Sequence, residues 1–288
     1  ANRSLRVDVD LTGEATPDSR AMIALSVSRV DGATTLFVSP RAVTEGETVS
    51  TTFDLGPDAA FWTDETPNLY NVEVTLSDNG VPVETRSFTT ALRDFRATPD
   101  GFTINGNKVT LRGKHDACVF PLTGHPPMDV EAWVRYFKIY KQYGLNYMRC
   151  HTWTPPEAAY EAADRVGIYI QGELPIWWGM DFKDAAKVDY MHRLGTAILD
   201  EYGNHPSFVM FALGNEIPKE REDLKAMVDF LRAHDPRPLY AQGSNNRLWD
   251  PSYAEGDDYW TSFRTGLWQE DGSTDARLSM AYLDSHGV

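Results

Sequence analysis

The residues best suited to chemistry form a carboxylate–amide pair at the end of a short apolar run. Phe208-Val209-Met210-Phe211-Ala212-Leu213-Gly214 leads directly into Asn215-Glu216, with Pro206 before the run and Pro218 after it. Its length and flanks read as a buried strand. A parallel α/β barrel presents its catalytic acids at the C-terminal tips of such strands. A glutamic acid held near a leaving oxygen can protonate a glycosidic bond, so Glu216 is a candidate general acid. Asn215 can hydrogen-bond a sugar hydroxyl. The plainer role for Glu216, capping the helix that follows, is less favoured at a strand tip.

Further polar residues cluster at the ends of other apolar segments. Arg149 can hold a nucleophilic carboxylate ionised and oriented, or it can make a structural ion pair inside a barrel mouth. Both readings stand. His151 lies two residues on, on the same strand face, where it can bond substrate hydroxyls beside His115 and Trp153. Glu173 can touch substrate, or pair with Arg149 or a nearby histidine. Trp153, Trp177 and Trp178 follow the second and third strands, where they can stack on sugar faces or pack the loops. His115, Asp116, His151 and Glu173 are metal-ligand types. None has the helical two-histidine spacing of a metalloprotease, so carboxylate chemistry ranks above metal chemistry, and no metal or cofactor is expected.

Two kinds of element must position these residues. Up to about residue 97 the hydrophobic period is two: Leu5, Val7, Val9 and Leu11, then Ile23, Leu25 and Val27, then Val49, Phe53 and Leu55, then Val72, Val74 and Leu76. Asp78-Asn79-Gly80 is a hairpin signal. Six or seven short strands predict an antiparallel, immunoglobulin-like β-sandwich over residues 1–97. Thr98-Pro99-Asp100-Gly101 is turn chemistry and marks the boundary. Phe102 to Asn107 reads as a small hairpin turning at Asn105-Gly106.

From there, strand and helix alternate. Strands are expected at Val109–Lys114, Leu145–His151, Ile168–Leu174, Ser207–Asn215 and Leu239–Gly243. Asp129 should cap the first helix and Gly144 end it; Pro155-Pro156 should open the second and Gly167 stop it. Such alternation means a parallel sheet. Polar strand ends, including His115-Asp116, Arg149, Glu173, Asn215-Glu216 and Asn245-Asn246, favour a barrel over an open sheet, which would usually carry a glycine-rich phosphate loop. A full eight-fold barrel takes about 250 residues. Residues 98–288 hold five clear strands and a candidate sixth near 259–263, so an incomplete (β/α)8 barrel is expected over that range.

The formal net charge of -15 disfavours nucleic acid and anionic membrane surfaces as partners. No apolar run of eighteen residues occurs, so no membrane-spanning helix is expected. Cys118 and Cys150 are too few for a disulfide framework and read as two buried thiols. The first ten residues already read as a strand, not a signal peptide, and the compartment stays open. An open barrel edge invites self-association, so if the chain stands alone, homo-oligomerisation or disorder after about residue 250 is expected.

Four stretches resemble glycoside hydrolase family 2, the group of β-galactosidases, β-glucuronidases and β-mannosidases. They are Trp62-Thr63-Asp64-Glu65-Thr66-Pro67-Asn68-Leu69-Tyr70, the segment FTINGNKVTLRG from Phe102 to Gly113, Asn146-Tyr147-Met148-Arg149-Cys150-His151, and Asn204-His205-Pro206-Ser207 through Gly214-Asn215-Glu216. The resemblance implies Glu216 as general acid/base, Asn215 as a ligand of the sugar 2-hydroxyl and Arg149 as partner of the nucleophile. It implies an exo-acting retaining β-glycosidase with a glycoside or oligosaccharide substrate and two carboxyls about 5 Å apart. Thr152-Trp153 replaces the Tyr-Pro that usually follows the histidine. The family's nucleophile sits on a seventh strand, expected beyond Val288. Glu255, Asp257, Asp258 and Glu270 follow Glu216 too closely to be assigned. The chain therefore reads as an internal fragment. A rival reading is a carbohydrate-binding or scaffold protein without catalysis.

Overall fold

The computed structural model describes residues 3–12, 20–32, 35–217, 221–244 and 255–259. Six strands make the first unit: β1 (Ser4–Asp10), β2 (Ala21–Arg29), β3 (Thr35–Ala42), β4 (Thr48–Asp54), β5 (Tyr70–Asp78) and β6 (Val81–Thr90). β1 and β4 pair antiparallel, and β3-β2-β5-β6 form the second sheet. The period-two residues do what alternation dictates: Val7, Ile23, Leu25, Val27, Val49, Phe53 and Val72 are buried in one core. Asn79 and Gly80 both take positive φ (50° and 82°), the conformation that a two-residue hairpin joining β5 to β6 requires. A two-stranded sheet cannot cover a four-stranded one. From Val81 to Phe88, every residue of β6 is accordingly exposed, on both faces.

A small antiparallel sheet follows: β7 (Phe95–Thr98), β8 (Gly101–Ile104) and β9 (Asn107–Val109). Asn105 and Gly106 turn β8 into β9 with φ of 52° and 83°. The expected strand Val109–Lys114 is divided. Val109 closes β9, whereas β10 (Gly113–Asp116) pairs parallel with β11 (Tyr147–Cys150). Asn146 bridges the corner, its Oδ1 accepting from Arg112 N at 2.8 Å.

β10, β11, β12 (Tyr169–Trp177), β13 (Phe208–Asn215) and β14 (Leu239–Ala241) lie side by side in sequence order, all parallel. The helices α1 (Val130–Gln142), α2 (Glu157–Val166), α3 (Ala185–Tyr202) and α4 (Arg221–His234) connect them. Asp129 caps α1 by accepting from Ala132 N at 2.8 Å. Gly167 ends α2 in the left-handed conformation. Alternate strand residues face two different neighbours. Met148, Cys150, Ile170, Leu174, Phe211 and Leu213 pack against the helices. Tyr147, Tyr169, Met210 and Ala212 face the barrel interior, where Trp62, Phe95, Phe102, Ile104 and Tyr259 fill its N-terminal end. The described residues thus join an immunoglobulin-like sandwich to five parallel strands of a (β/α)8 barrel, incomplete as far as they extend. Asn245-Asn246 and positions 260–263 of the expected sixth strand lie outside the described residues.

The two units are fastened at the barrel's N-terminal end. Trp62 Nε1 donates to Asp164 O at 2.9 Å, and its ring meets Tyr169 edge-on at 5.4 Å. The Asp64 carboxylate accepts from Asn146 Nδ2 and the Tyr169 hydroxyl, both at 2.9 Å. Gly167 is required at this seam, since a Cβ there would sit 2.3 Å from Asp64 O. Both cysteines are free. Cys150 is buried as expected, but Cys118 is exposed, because it lies past the end of β10 with a positive φ of 56°.

Candidate active site

Above the apolar plug, the interior residues of the strands turn polar. Arg149 on β11 donates from Nε to Glu173 Oε1 at 2.7 Å and from Nη2 to Oε2 at 3.3 Å. The same Nη2 donates to Asn215 Oδ1 at 2.7 Å. Arginine has no acceptor, so this contact fixes which end of the Asn215 amide faces it. Glu173 is fully buried. It also accepts from Gln171 Nε2 at 2.8 Å, Thr152 N at 2.8 Å and Ser244 Oγ at 3.1 Å. A carboxylate taken wholly out of water persists only with this density of donors. Of the two partners expected for Glu173, the geometry selects Arg149 and leaves the glutamate beneath the surface of the mouth.

Glu216 stands at the tip of β13 in a left-handed conformation, φ 52°. Its amide donates to Ser244 O at 2.8 Å, and Ser244 N donates to Gly214 O at 2.8 Å, extending the β13–β14 ladder under it. Gly214 has φ of 150°, and a Cβ there would lie 1.9 Å from Ile176 O. Backbone meets backbone at that point, and only glycine permits it. β12 and β13 slip register between Glu173 and Ile176, which carries β12 on to pair Trp177 with Asn215. As a result Trp177 Nε1 and Trp178 Nε1 both donate to Glu216 Oε2, at 3.2 and 3.0 Å.

The histidines line the adjoining edge. The His115 and His151 rings stack at 4.6 Å, and Trp177 meets His151 edge-on at 5.2 Å. Partial burial, and then the charges of Arg149 and His151, hold the His115 imidazole below its ordinary value. Asp116 accepts from the Tyr136 hydroxyl at 2.6 Å, Cys118 N at 2.9 Å and Lys114 Nζ at 3.0 Å. Burial works to raise its carboxyl, but these hydrogen bonds hold it below the usual carboxylate value. Trp153 packs against the helix-side core and donates from Nε1 to Asp116 O at 3.0 Å. Its ring is committed to the loop, unlike the half-exposed Trp177 and Trp178.

Arg149, Glu173, Asn215 and Glu216 therefore meet on neighbouring strand tips, with His115 and His151 alongside. Gln171, Thr152 and Ser244 belong to the same network and were not anticipated. Gln171 had a readable signal, lying two residues before Glu173 on the same strand face. Two of the late carboxylates are engaged elsewhere. Asp258 accepts from Arg232 Nη2 at 3.0 Å and Tyr240 N at 2.8 Å, and Asp257 accepts from Gln242 N at 2.8 Å. Glu270 lies outside the described residues.

Comparison with known proteins agrees with this architecture. Residues 1–93 match the description "Glycosyl hydrolases family 2", and residues 95–255 match "Glycosyl hydrolases family 2, TIM barrel domain". A beta-galactosidase of Vibrio vulnificus is 31% identical over 207 residues, covering 67% of this chain and 20% of the relative. A putative beta-glucuronidase of Formosa agariphila is 29% identical over 157 residues, 54% of this chain and 19% of the relative. A solved beta-glucuronidase of Bacteroides uniformis shares the fold with a TM-score of 0.77 at 22% identity, over 98% of this chain and 36% of that one. The chain thus spans about a fifth of the length of these curated relatives. With a matched sandwich and a matched barrel carrying Asn215-Glu216 at a strand tip, this chain belongs to glycosyl hydrolase family 2.

Proposed function

We propose that the protein carrying this chain is an exo-acting, retaining β-glycosidase that removes terminal β-linked sugars, in the manner of a β-galactosidase, with Glu216 as general acid/base. The observation that carries this reading is the position of Glu216. It projects from the tip of β13 above the Arg149–Glu173–Asn215 layer, fixed by two indole donors. The glycosidase names of the similar proteins support the substrate class.

In this reading Glu216 protonates the leaving oxygen as the bond to the anomeric carbon breaks. A second carboxylate attacks that carbon to form a glycosyl-enzyme, and Glu216 then deprotonates the water that resolves it. We place the second carboxylate on a later barrel strand and assign it to no residue of this sequence. Arg149, with Nε and Nη2 committed, would offer Nη1 to it. Asn215, oriented by Arg149, would bond the sugar 2-hydroxyl. His115 and His151 would meet further hydroxyls, and Trp177 and Trp178 would stack on the sugar or its leaving group. Trp153 would act at one remove, by supporting the loop after β11.

A 2-deoxy-2-fluoro glycoside with an activated leaving group tests this on the product of the complete gene. A retaining enzyme forms a stable covalent adduct, visible as a mass increase, and loses activity in step with it. Binding without an adduct would replace this proposal with a carbohydrate-binding protein. The 288-residue chain alone should hydrolyse aryl β-glycosides no faster than buffer. High turnover that Glu216→Gln abolishes would place the nucleophile within the present sequence.

A further inference from the structure

Glu216 is held in a way that its catalytic assignment does not explain. Both neighbouring indoles, Trp177 and Trp178, aim Nε1 at the same oxygen, Oε2, at 3.2 and 3.0 Å. Two consecutive residues on an extended strand point to opposite faces. Two consecutive tryptophans can share one acceptor only where the strand has ended. Trp178 has left it, with φ of 23°, in a region that bulky residues avoid. The approach is also enforced from the other side. Gly214 lets β13 come so near Ile176 O that any side chain there would collide, and Glu216 itself takes a positive φ. Three special backbone positions therefore converge on one carboxyl oxygen.

We propose that Trp177 and Trp178 are positioning residues that clamp Glu216 through Oε2 and so assign the transferable proton to Oε1. An oxygen accepting two N–H donors cannot also carry the acid proton without giving up one of them. Oε1–H then gives its proton to the leaving oxygen as the C–O bond breaks, the electron pair departing with that oxygen while the carboxylate nucleophile bonds the anomeric carbon. Oε1 recovers a proton from the attacking water. The clamp also favours the ionised carboxylate, because hydrogen bonds to a charged form stabilise it. Among the described residues, the charged and titratable groups on the surrounding strand tips are Arg149 and His151 on or just past β11, His115 and Asp116 on β10 and Glu173 on β12. Trp178→Phe leaves the contacts described for them intact, whereas Trp177→Phe also alters the edge of His151. The proposal rests on the acid/base reading of Glu216, but the clamp is testable without turnover.

Selective ¹⁵N-tryptophan labelling of the 288-residue chain reads it directly. The Nε1–H signals of Trp177 and Trp178, assigned by single replacement, should shift together with one midpoint on acidification. In Glu216→Gln both should lose that shared midpoint, leaving for Trp177 only a response to the neighbouring His151. A ¹³C-labelled Glu216 carboxyl should titrate with the same midpoint. Trp177→Phe or Trp178→Phe should each move it to higher pH, and the double replacement should move it further. At 52% and 58% exposure, neither indole is needed by the core, so these variants should fold. Indole signals indifferent to Glu216→Gln, or a carboxyl midpoint unmoved by both Trp→Phe changes, would overturn the clamp. The underlying assignment fails separately: full hydrolysis by Glu216→Gln in the complete protein removes the acid/base role even where the indoles titrate as described.

Discussion

The two ends of the parallel sheet are built from opposite materials. At the N-terminal end, Trp62, Phe95, Phe102, Tyr169 and Tyr259 close the barrel with aromatic rings, and the sandwich is bolted on beneath. At the C-terminal end the same strands present Arg149, Glu173, Asn215 and Glu216. Only a few residues separate Tyr147 from Arg149 and Tyr169 from Glu173. What differs is solvent and consequence. The lower layer lowers free energy by leaving water, at roughly 25 cal/mol per Å² of apolar surface. The upper layer places charge where water is scarce and is tolerable only because every buried member is bonded. One end secures the fold, and in the function proposed above the other keeps charged groups ready for a ligand.

Substitutions can break this contrast. The largest effect is expected from Arg149→Ala, which strands a fully buried carboxylate and should cost about 3–5 kcal/mol in urea unfolding. A joint Arg149→Met, Glu173→Leu change should recover only part of that stability, because Gln171, Thr152 N and Ser244 then lose their shared acceptor, and should abolish ligand binding. Trp62→Phe keeps an aromatic plug but leaves Asp164 O without its indole donor. It should cost about 1–3 kcal/mol and leave ligand affinity at the far end unchanged, as calorimetry on sugar analogues would show. Trp153→Phe removes one hydrogen bond to Asp116 O and should cost about 1 kcal/mol.

The smallest effect is one of pH. His205 Nδ1 lies 2.6 Å from Asp164 Oδ2. Burial opposes the charged imidazole, but the Asp164 hydrogen bond and charge outweigh it, with Glu157 and Glu161 adding to the same sense, and hold His205 above its ordinary value. A group raised on folding gives its full stabilisation below its unfolded value, near 6.5, and loses it as pH rises through the folded value. Thermal unfolding should therefore show a decline above about pH 6.5 that Asp164→Asn flattens.

Much of this was legible in the residues. Asn79-Gly80, Asn105-Gly106 and Gly167 announced positive φ where the chain turns, and strand–helix alternation announced the parallel sheet. The tip of β13 was readable because an apolar run ending in Asn-Glu has few other uses. The division of Val109–Lys114 between two sheets was not, since an apolar run does not say which neighbour it pairs with. The exposure of β6 depends on the opposing sheet having two strands. The double indole contact on Glu216 arises from a register slip in β12, and side-chain alternation carries no record of a slip. Arg149 was read equally as a partner for a nucleophile or as an ion-pair member, because sequence gives strand ends but not the distance between them.

The central claim is that Glu216 is the proton donor. The most direct measurement compares Glu216→Ala with the parent in the complete protein, on β-glycosides with leaving groups from strongly activated aryl to simple alkyl, with and without azide. Loss in kcat/KM should be slight at the activated end of the series and rise to about 10²–10⁴-fold at the alkyl end, while kcat on activated substrates falls because the glycosyl-enzyme lacks its base, and azide should restore that turnover by yielding the β-glycosyl azide. Equal loss across the series with no azide product, or unchanged hydrolysis of alkyl glycosides, would contradict it.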